Sequence, residues 1–199
     1  TIFALSFLTS FLLTAGLFTG STARAFYSTM DTADVLQPGN YEAQVSGQVL
    51  PSPFGMNAVG RFDFGTAEFT NLRVLIGTGQ QPFQIGGFLK WVPIPDYRSQ
   101  PGLGLMAGAI YDVDPTYNST IHFRLHPLAS KHFIGGSLGE ITPYVSVPLG
   151  MAIARGSVFF PVQFTVGAKW IPKGFKHVGY WIEGGLNIND AFSYATFGL

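Results

Sequence analysis

The sequence predicts an all-β fold, a closed antiparallel up-and-down barrel of about ten strands, within a range of eight to twelve. Three observations predict it. Apolar and polar residues alternate with period two in segment after segment, the mark of strands with two unlike faces. No stretch shows an amphipathic helical pattern. Turn residues such as Gln80-Gln81 and Asn189-Asp190 punctuate the alternating segments.

The first segment stands apart from this pattern. "TIFALSFLTSFLLTAGLFTGSTARA" is an apolar run, then small residues, then Ala23-Arg24-Ala25, an A-x-A-like cleavage site. Residues 1–25 are therefore expected to be a signal peptide, with the mature chain starting near Phe26. Gly16, Gly20 and the serine and threonine content make the run a poor lipid span, and no later segment offers about 18 uninterrupted apolar residues. Residues 26–38, with Asp31 and Asp34, read as a lead-in, ordered or loose. No linker, charge block or repeat divides residues 39–199, which are expected to form one barrel domain.

The strands follow in order. In "GNYEAQVSGQVL" Tyr41, Ala43, Val45, Gly47 and Val49 oppose Glu42, Gln44, Ser46 and Gln48. Next, Ala58, Gly60, Phe62 and Phe64 oppose Asn57, Arg61, Asp63 and Gly65, and Leu72, Val74 and Ile76 oppose Asn71, Arg73 and Gly77. Phe83, Ile85, Leu89 and Trp91 oppose Gln84, Gly86 and Lys90. Leu103, Leu105, Ala107, Ala109 and Tyr111 oppose Gly104, Met106, Gly108 and Asp112. Ile121, Phe123 and Leu125 oppose Thr120, His122, Arg124 and His126. The seventh strand, "ITPYVSVPLGMAI", sets Val145, Val147, Leu149 and Met151 against Tyr144, Ser146 and Gly150, although Pro143 and Pro148 each remove a ladder donor. The eighth starts at Pro161 and sets Val162, Phe164, Val166 and Ala168 against Gln163, Thr165, Gly167 and Lys169. The ninth, "HVGYWIEGGLNI", sets Val178, Tyr180, Ile182 and Leu186 against Gly179, Glu183, Gly185 and Asn187, and "AFSYATFGL" closes the set. Longer connections are expected near residues 93–102 and 127–139.

Composition decides which face points out. Charged residues make 11% of the chain, against about 25% in an average soluble domain, while 47% are hydrophobic and 15% aromatic. If the apolar faces pointed inward, as in a soluble ligand-carrying barrel, a narrow interior would have to hold a bulky residue at nearly every position, and a glycine-rich face would meet water. Pointing outward, the bulk meets lipid and the small and polar residues fill the lumen. Net charge is zero, with 11 basic and 11 acidic residues, so there is no basic surplus for nucleic acid. The absence of cysteine rules out a disulfide framework and a thiolate metal site.

On the signal-peptide pattern and the alternating strands, the chain resembles a small bacterial outer-membrane β-barrel protein. The resemblance covers residues 1–25 and most of 39–199, and rests on architecture rather than on a motif. It implies a place in the bacterial outer membrane, with lipid and the barrel insertion machinery as partners. Such barrels usually end on an aromatic residue, and here the end is Phe197-Gly198-Leu199.

The expected lumenal face collects Glu42, Arg61, Asp63, Arg73, Lys90, Asp112, Arg124, Lys169 and Glu183. A salt-bridged, filled interior with a structural or passive role is the first expectation. A small diffusion channel, with a small solute as partner and these residues as a selectivity ring, is the alternative. Trp91, Tyr111, Tyr117, Trp170 and Tyr180 suit an interfacial aromatic girdle. No cofactor or metal is expected: His122 and His126 share a strand face but sit roughly 13 Å apart at about 3.3 Å per residue. A third alternative is a lipid-modifying barrel enzyme, for which His126, Ser130, His132, Ser137 and Glu140 supply the residue types but no diagnostic spacing. The chain is expected not to be an enzyme.

Overall fold

The computed structural model describes residues 28–199 apart from 53, 81, 114–118, 155–156 and 176. The expected signal peptide and Tyr117 lie outside the described residues. Thirteen strand segments are β1 (Tyr41–Pro51), β2 (Phe54–Ala67), β3 (Thr70–Gly79), β4 (Phe83–Ile94), β5 (Gly102–Val113), β6 (Thr120–Ser130), β7 (Phe133–Ile134), β8 (Glu140–Ser146), β9 (Leu149–Ala154), β10 (Ser157–Phe159), β11 (Val162–Ile171), β12 (Tyr180–Asn189) and β13 (Tyr194–Gly198). All pairings are antiparallel between up-and-down neighbours, and β13 pairs with both β12 and β1, which closes the sheet into a ten-stranded barrel. There is no helix among the described residues.

Ten strands arise from thirteen segments because prolines interrupt two strands and the two-residue β7 only adds a short pairing to β8 at the mouth. The seventh strand is broken at Val147-Pro148 into β8 and β9, both of which pair with β6. Pro127 of β6 lies at the same level, between the residues that pair with β8 and those that pair with β9. Pro127 and Pro148 both lack an N–H there, so the ladder loses donors at the break. Ser146 Oγ and Val147 N both donate to the Pro127 carbonyl, at 2.8 and 3.2 Å, and bridge the gap. The β10 segment extends β11 in the same way beyond Phe160-Pro161.

The alternation runs as predicted on the nine strands whose faces the sequence assigned. In β1, Tyr41, Ala43, Val45 and Gly47 are exposed, and Gln44, Ser46 and Gln48 are buried. The outer surface is therefore apolar around the barrel: Val74, Ile76, Leu89, Phe123, Val145, Phe164 and Ile182 are all exposed. Chain entry and exit lie at one end, here called the mouth, together with the connections 68–69, 95–101, 131–139 and 172–179. At the other end lie the far ends of β1 and β2, of β3 and β4, of β5 and β6, and of β9 and β10, with residues 190–193 between β12 and β13. The connection expected at residues 127–139 is shorter, because β6 continues through Pro127 to Ser130. The ninth strand begins at Tyr180 rather than near His177, which leaves 172–179 as a further long connection.

Candidate functional site

The interior mixes apolar and polar groups along its length. Leu50, Val59, Leu75, Phe88, Met106 and Ile110 from the wall cluster with Phe192 and Tyr194, and Gln84, Asp112 and His122 are buried in the far half beside them. Phe192 comes from the β12–β13 connection and folds into the lumen, where its carbonyl accepts from Gln163 Nε2 at 2.5 Å. From mid-lumen to the mouth the interior is charged, and its centre is occupied by the chain itself. Residues 28–33 are buried, and the segment leaves the lumen at the mouth through the exposed residues 37–40.

The wall residues converge on the main chain of this segment. Thr29 N and Met30 N donate to the two oxygens of Glu183, at 2.7 and 2.5 Å. The same carboxylate accepts from Tyr194 Oη and Tyr144 Oη, each at 2.7 Å. Arg61 donates to Ser28 O at 3.2 Å and to Ser28 Oγ at 2.5 Å. Arg73 donates to Thr29 O at 2.8 Å and to Met30 O at 3.4 Å. Ala33 N donates to Ser130 Oγ at 2.8 Å, and Leu36 N to Asn71 Oδ1 at 3.2 Å. Buried main-chain groups need partners when no ladder supplies them, and here the wall supplies them.

Two side chains of the segment are anchored as well. Asp31 lies between Lys90 Nζ at 2.7 Å and Arg73 Nη2 at 3.4 Å. Met30 is fully buried in a cluster with Tyr144 and Trp181, with a φ of +36°. A methionine at positive φ is strained by about 1–2 kcal/mol, and contacts around it have to hold it there.

All nine predicted lumenal residues face inward. Arg73 is opposite Asp63 across the β2–β3 ladder and forks onto it at 2.7 and 2.8 Å. Lys169 reaches Glu42 at 2.8 Å near the mouth, beside a cavity of about 100 Å³ that Asp31, Asp34, Lys90 and Trp181 also line. Asp112 holds His122 Nε2 at 3.0 Å, and Arg124 is buried on the same β6 face. Trp91, Tyr111, Trp170 and Tyr180 are exposed on the outer face, with Trp170 and Tyr180 rings 5.7 Å apart. Of the residues considered for lipid chemistry, His126 Nδ1 lies 3.2 Å from Thr29 Oγ1, and Ser130 serves Ala33. His132 Nδ1 meets Thr142 Oγ1 at 3.1 Å, its Nε2 is 3.8 Å from Glu140, and Ser137 is exposed. They do not converge on one point.

Sequence reasoning missed the occupant. Residues 28–36 read as a lead-in because they lack alternation, yet they supply the partners of Arg61, Arg73, Lys90 and Glu183. The available signal was the pair of carboxylates Asp31 and Asp34 in a short segment without cations, next to a lumenal face holding more cations than anions. Comparison with known protein families, curated proteins and solved structures finds no match for this chain.

Proposed function

We propose that this chain is an outer-membrane β-barrel protein with a structural or passive role, exported by a signal peptide and closed by its own residues. The observation that carries the reading is the inverted polarity. Nearly all large apolar side chains on the strands' outer faces are exposed, while Arg61, Asp63, Arg73, Asp112 and Glu183 are buried. Soluble monomers rarely expose contiguous apolar patches beyond a few hundred Å². A hydrocarbon surround accepts such a face, and closure of the barrel satisfies the main chain there. Exposed Trp91, Trp170 and Tyr180 near the mouth suit the lipid interface. The partners of this reading are lipid and the insertion machinery, without nucleic acid, cofactor or catalytic chemistry. The segment in the mouth half and Phe192 in the far half support a lumen without an open path.

The test is a planar-bilayer recording of the detergent-folded protein, with a gel shift on boiling to report folding. The expected result is a folded, silent barrel. Steady ohmic steps would replace this reading with the small diffusion channel. A protein that stays in the aqueous phase without detergent would replace it with the soluble barrel. Lipid turnover lost in His126→Ala or His132→Ala would replace it with the barrel enzyme.

A further inference from the structure

The contacts around residues 28–36 have the character of a peptide complex. Six wall residues, Arg61, Asn71, Arg73, Lys90, Ser130 and Glu183, come from β2, β3, β4, β6 and β12 and bind chiefly main-chain N–H and C=O groups. Main-chain recognition tolerates many sequences, provided the backbone can take the kink seen at Met30. Selectivity then rests on two adjacent positions. Met30 fills the Tyr144–Trp181 pocket, and Asp31 sits between Lys90 and Arg73.

Three features make this occupant exchangeable. Most of its contacts are hydrogen bonds and ion pairs that water can replace, and its only fully buried apolar side chains are Met30 and Ala33. Among the described residues its covalent tie to the wall is at one end, through exposed Gln37-Pro38 and Gly39 at φ +88°, a conformation suited to a hinge. Its strain at Met30 is released when it leaves.

We propose that the mouth half of the lumen is a binding site for a kinked peptide segment bearing an apolar–acidic residue pair, with residues 28–36 as its tethered, exchangeable occupant. The partner chemistry is a segment of another chain that carries an apolar residue followed directly by a carboxylate, as Met30 and Asp31 do here. This does not rest on the membrane reading, since the site lies wholly inside the barrel.

The experiment uses the full chain with a specific-protease site inserted between Pro38 and Gly39, folded first and cut afterwards. The probe is a fluorescent synthetic peptide with the sequence of residues 28–38. Cutting is expected to let the N-terminal fragment leave and the probe enter, saturably, with the gel shift of the barrel retained. A probe carrying Asp31→Asn is expected to bind at least tenfold more weakly, because it loses a doubly paired carboxylate. A fragment that stays put and excludes the probe overturns the proposal, as does a probe indifferent to Asp31→Asn. Should the insertion prevent folding, thiol labelling of the uncut chain decides. The native chain has no cysteine, so Ala33→Cys places a single thiol on the buried segment, and Ala152→Cys places one facing the lumen from the wall, 0% exposed. Ala33→Cys is expected to react with maleimide in the folded protein far faster than Ala152→Cys. Equal protection of the two overturns the proposal.

Discussion

Glu183 is the sharpest test of how the lumen is held. Glu183→Gln keeps the shape and replaces one carboxylate oxygen by an amide NH₂. Each oxygen of Glu183 accepts one main-chain N–H and one tyrosine hydroxyl. Whichever side the NH₂ takes, it faces a main-chain N–H of Thr29 or Met30. The tyrosine hydroxyl on that side can rotate to accept, but the N–H cannot. One orphaned, buried N–H costs about 1–3 kcal/mol. The remaining bonds lose charge assistance, about 1 kcal/mol each. Against this, the variant no longer buries an ion, which returns part of the loss. The expected net is about 3 kcal/mol, or roughly 100-fold in the equilibrium for seating the segment. Amide hydrogen exchange reads it directly: Thr29 and Met30 should exchange about 100-fold faster in the variant, while amides of the β2–β3 ladder keep their rates. If both amides keep their protection and the unfolding free energy from a urea titration changes by less than about 0.5 kcal/mol, the carboxylate does not hold the segment and the reasoning fails.

Four further outcomes are expected. Arg73→Met leaves Asp63 and the Thr29 carbonyl without their main donor inside the barrel, and should cost about 3–5 kcal/mol in a urea titration. Lys169→Met breaks a part-exposed pair with Glu42 and should cost less than about 1 kcal/mol in the same titration, a loss that added salt erases. Gly167→Ala and Gly185→Ala should each destabilise by about 1–3 kcal/mol, since a Cβ would meet the Tyr144 ring at 2.3 Å and the Tyr194 ring at 2.2 Å, whereas Gly47→Ala, on the open outer face, should not destabilise the barrel. At the mouth, partial burial acts to raise the Asp96 carboxyl, but the His132 N–H and the Lys131 ammonium outweigh it and hold it below the usual carboxylate range. Its contribution is therefore full above the unfolded value of about 4 and is lost as pH falls through the depressed folded value. Proteolysis at Arg98 by an acid-stable protease should rise below that pH, and Asp96→Asn should make it uniformly fast.

Strand identity and facing were legible because period two is a local property. Asn57, Arg61 and Asp63 face inward together for the same reason that Ala58 and Phe62 face outward, and no long-range knowledge was needed. The break at Val147-Pro148 was only half legible. Pro148 announced a lost donor, but its falling beside Pro127 of the neighbouring strand depends on a register that no single segment encodes. The occupant of the lumen was not legible. Residues 28–36 carry neither period, because their conformation is set by Glu183, Arg73 and Lys90, which stand between 42 and 155 positions away in the chain. Phe192 was equally hidden: a phenylalanine beside Asn189-Asp190 reads as the start of a strand, and only the folded barrel shows it turned inward.

Strand number ties these hidden elements together. Barrels of about eight strands are just wide enough for their own side chains to fill. This barrel has ten, and its inward positions include Gly65, Gly77, Gly86, Gly108, Gly167 and Gly185, several lying so close to neighbouring groups that no side chain fits. A wider cylinder with smaller lining residues would leave voids, and a protein interior does not keep them dry when Arg61, Asp63 and Glu183 line the walls. Water could fill such a space, and then the lumen would be a channel. The chain supplies a main-chain segment from one end and Phe192 from the other, and the wall charges meet carbonyls, amides and Asp31 in place of water. Cations in the wall exceed the carboxylates there, and Asp31 of the segment restores the balance at Arg73 and Lys90. Wall and occupant are thus complementary in shape and in charge. Neither the wall's charge pattern nor the strained backbone at Met30 has a physical reason without the other.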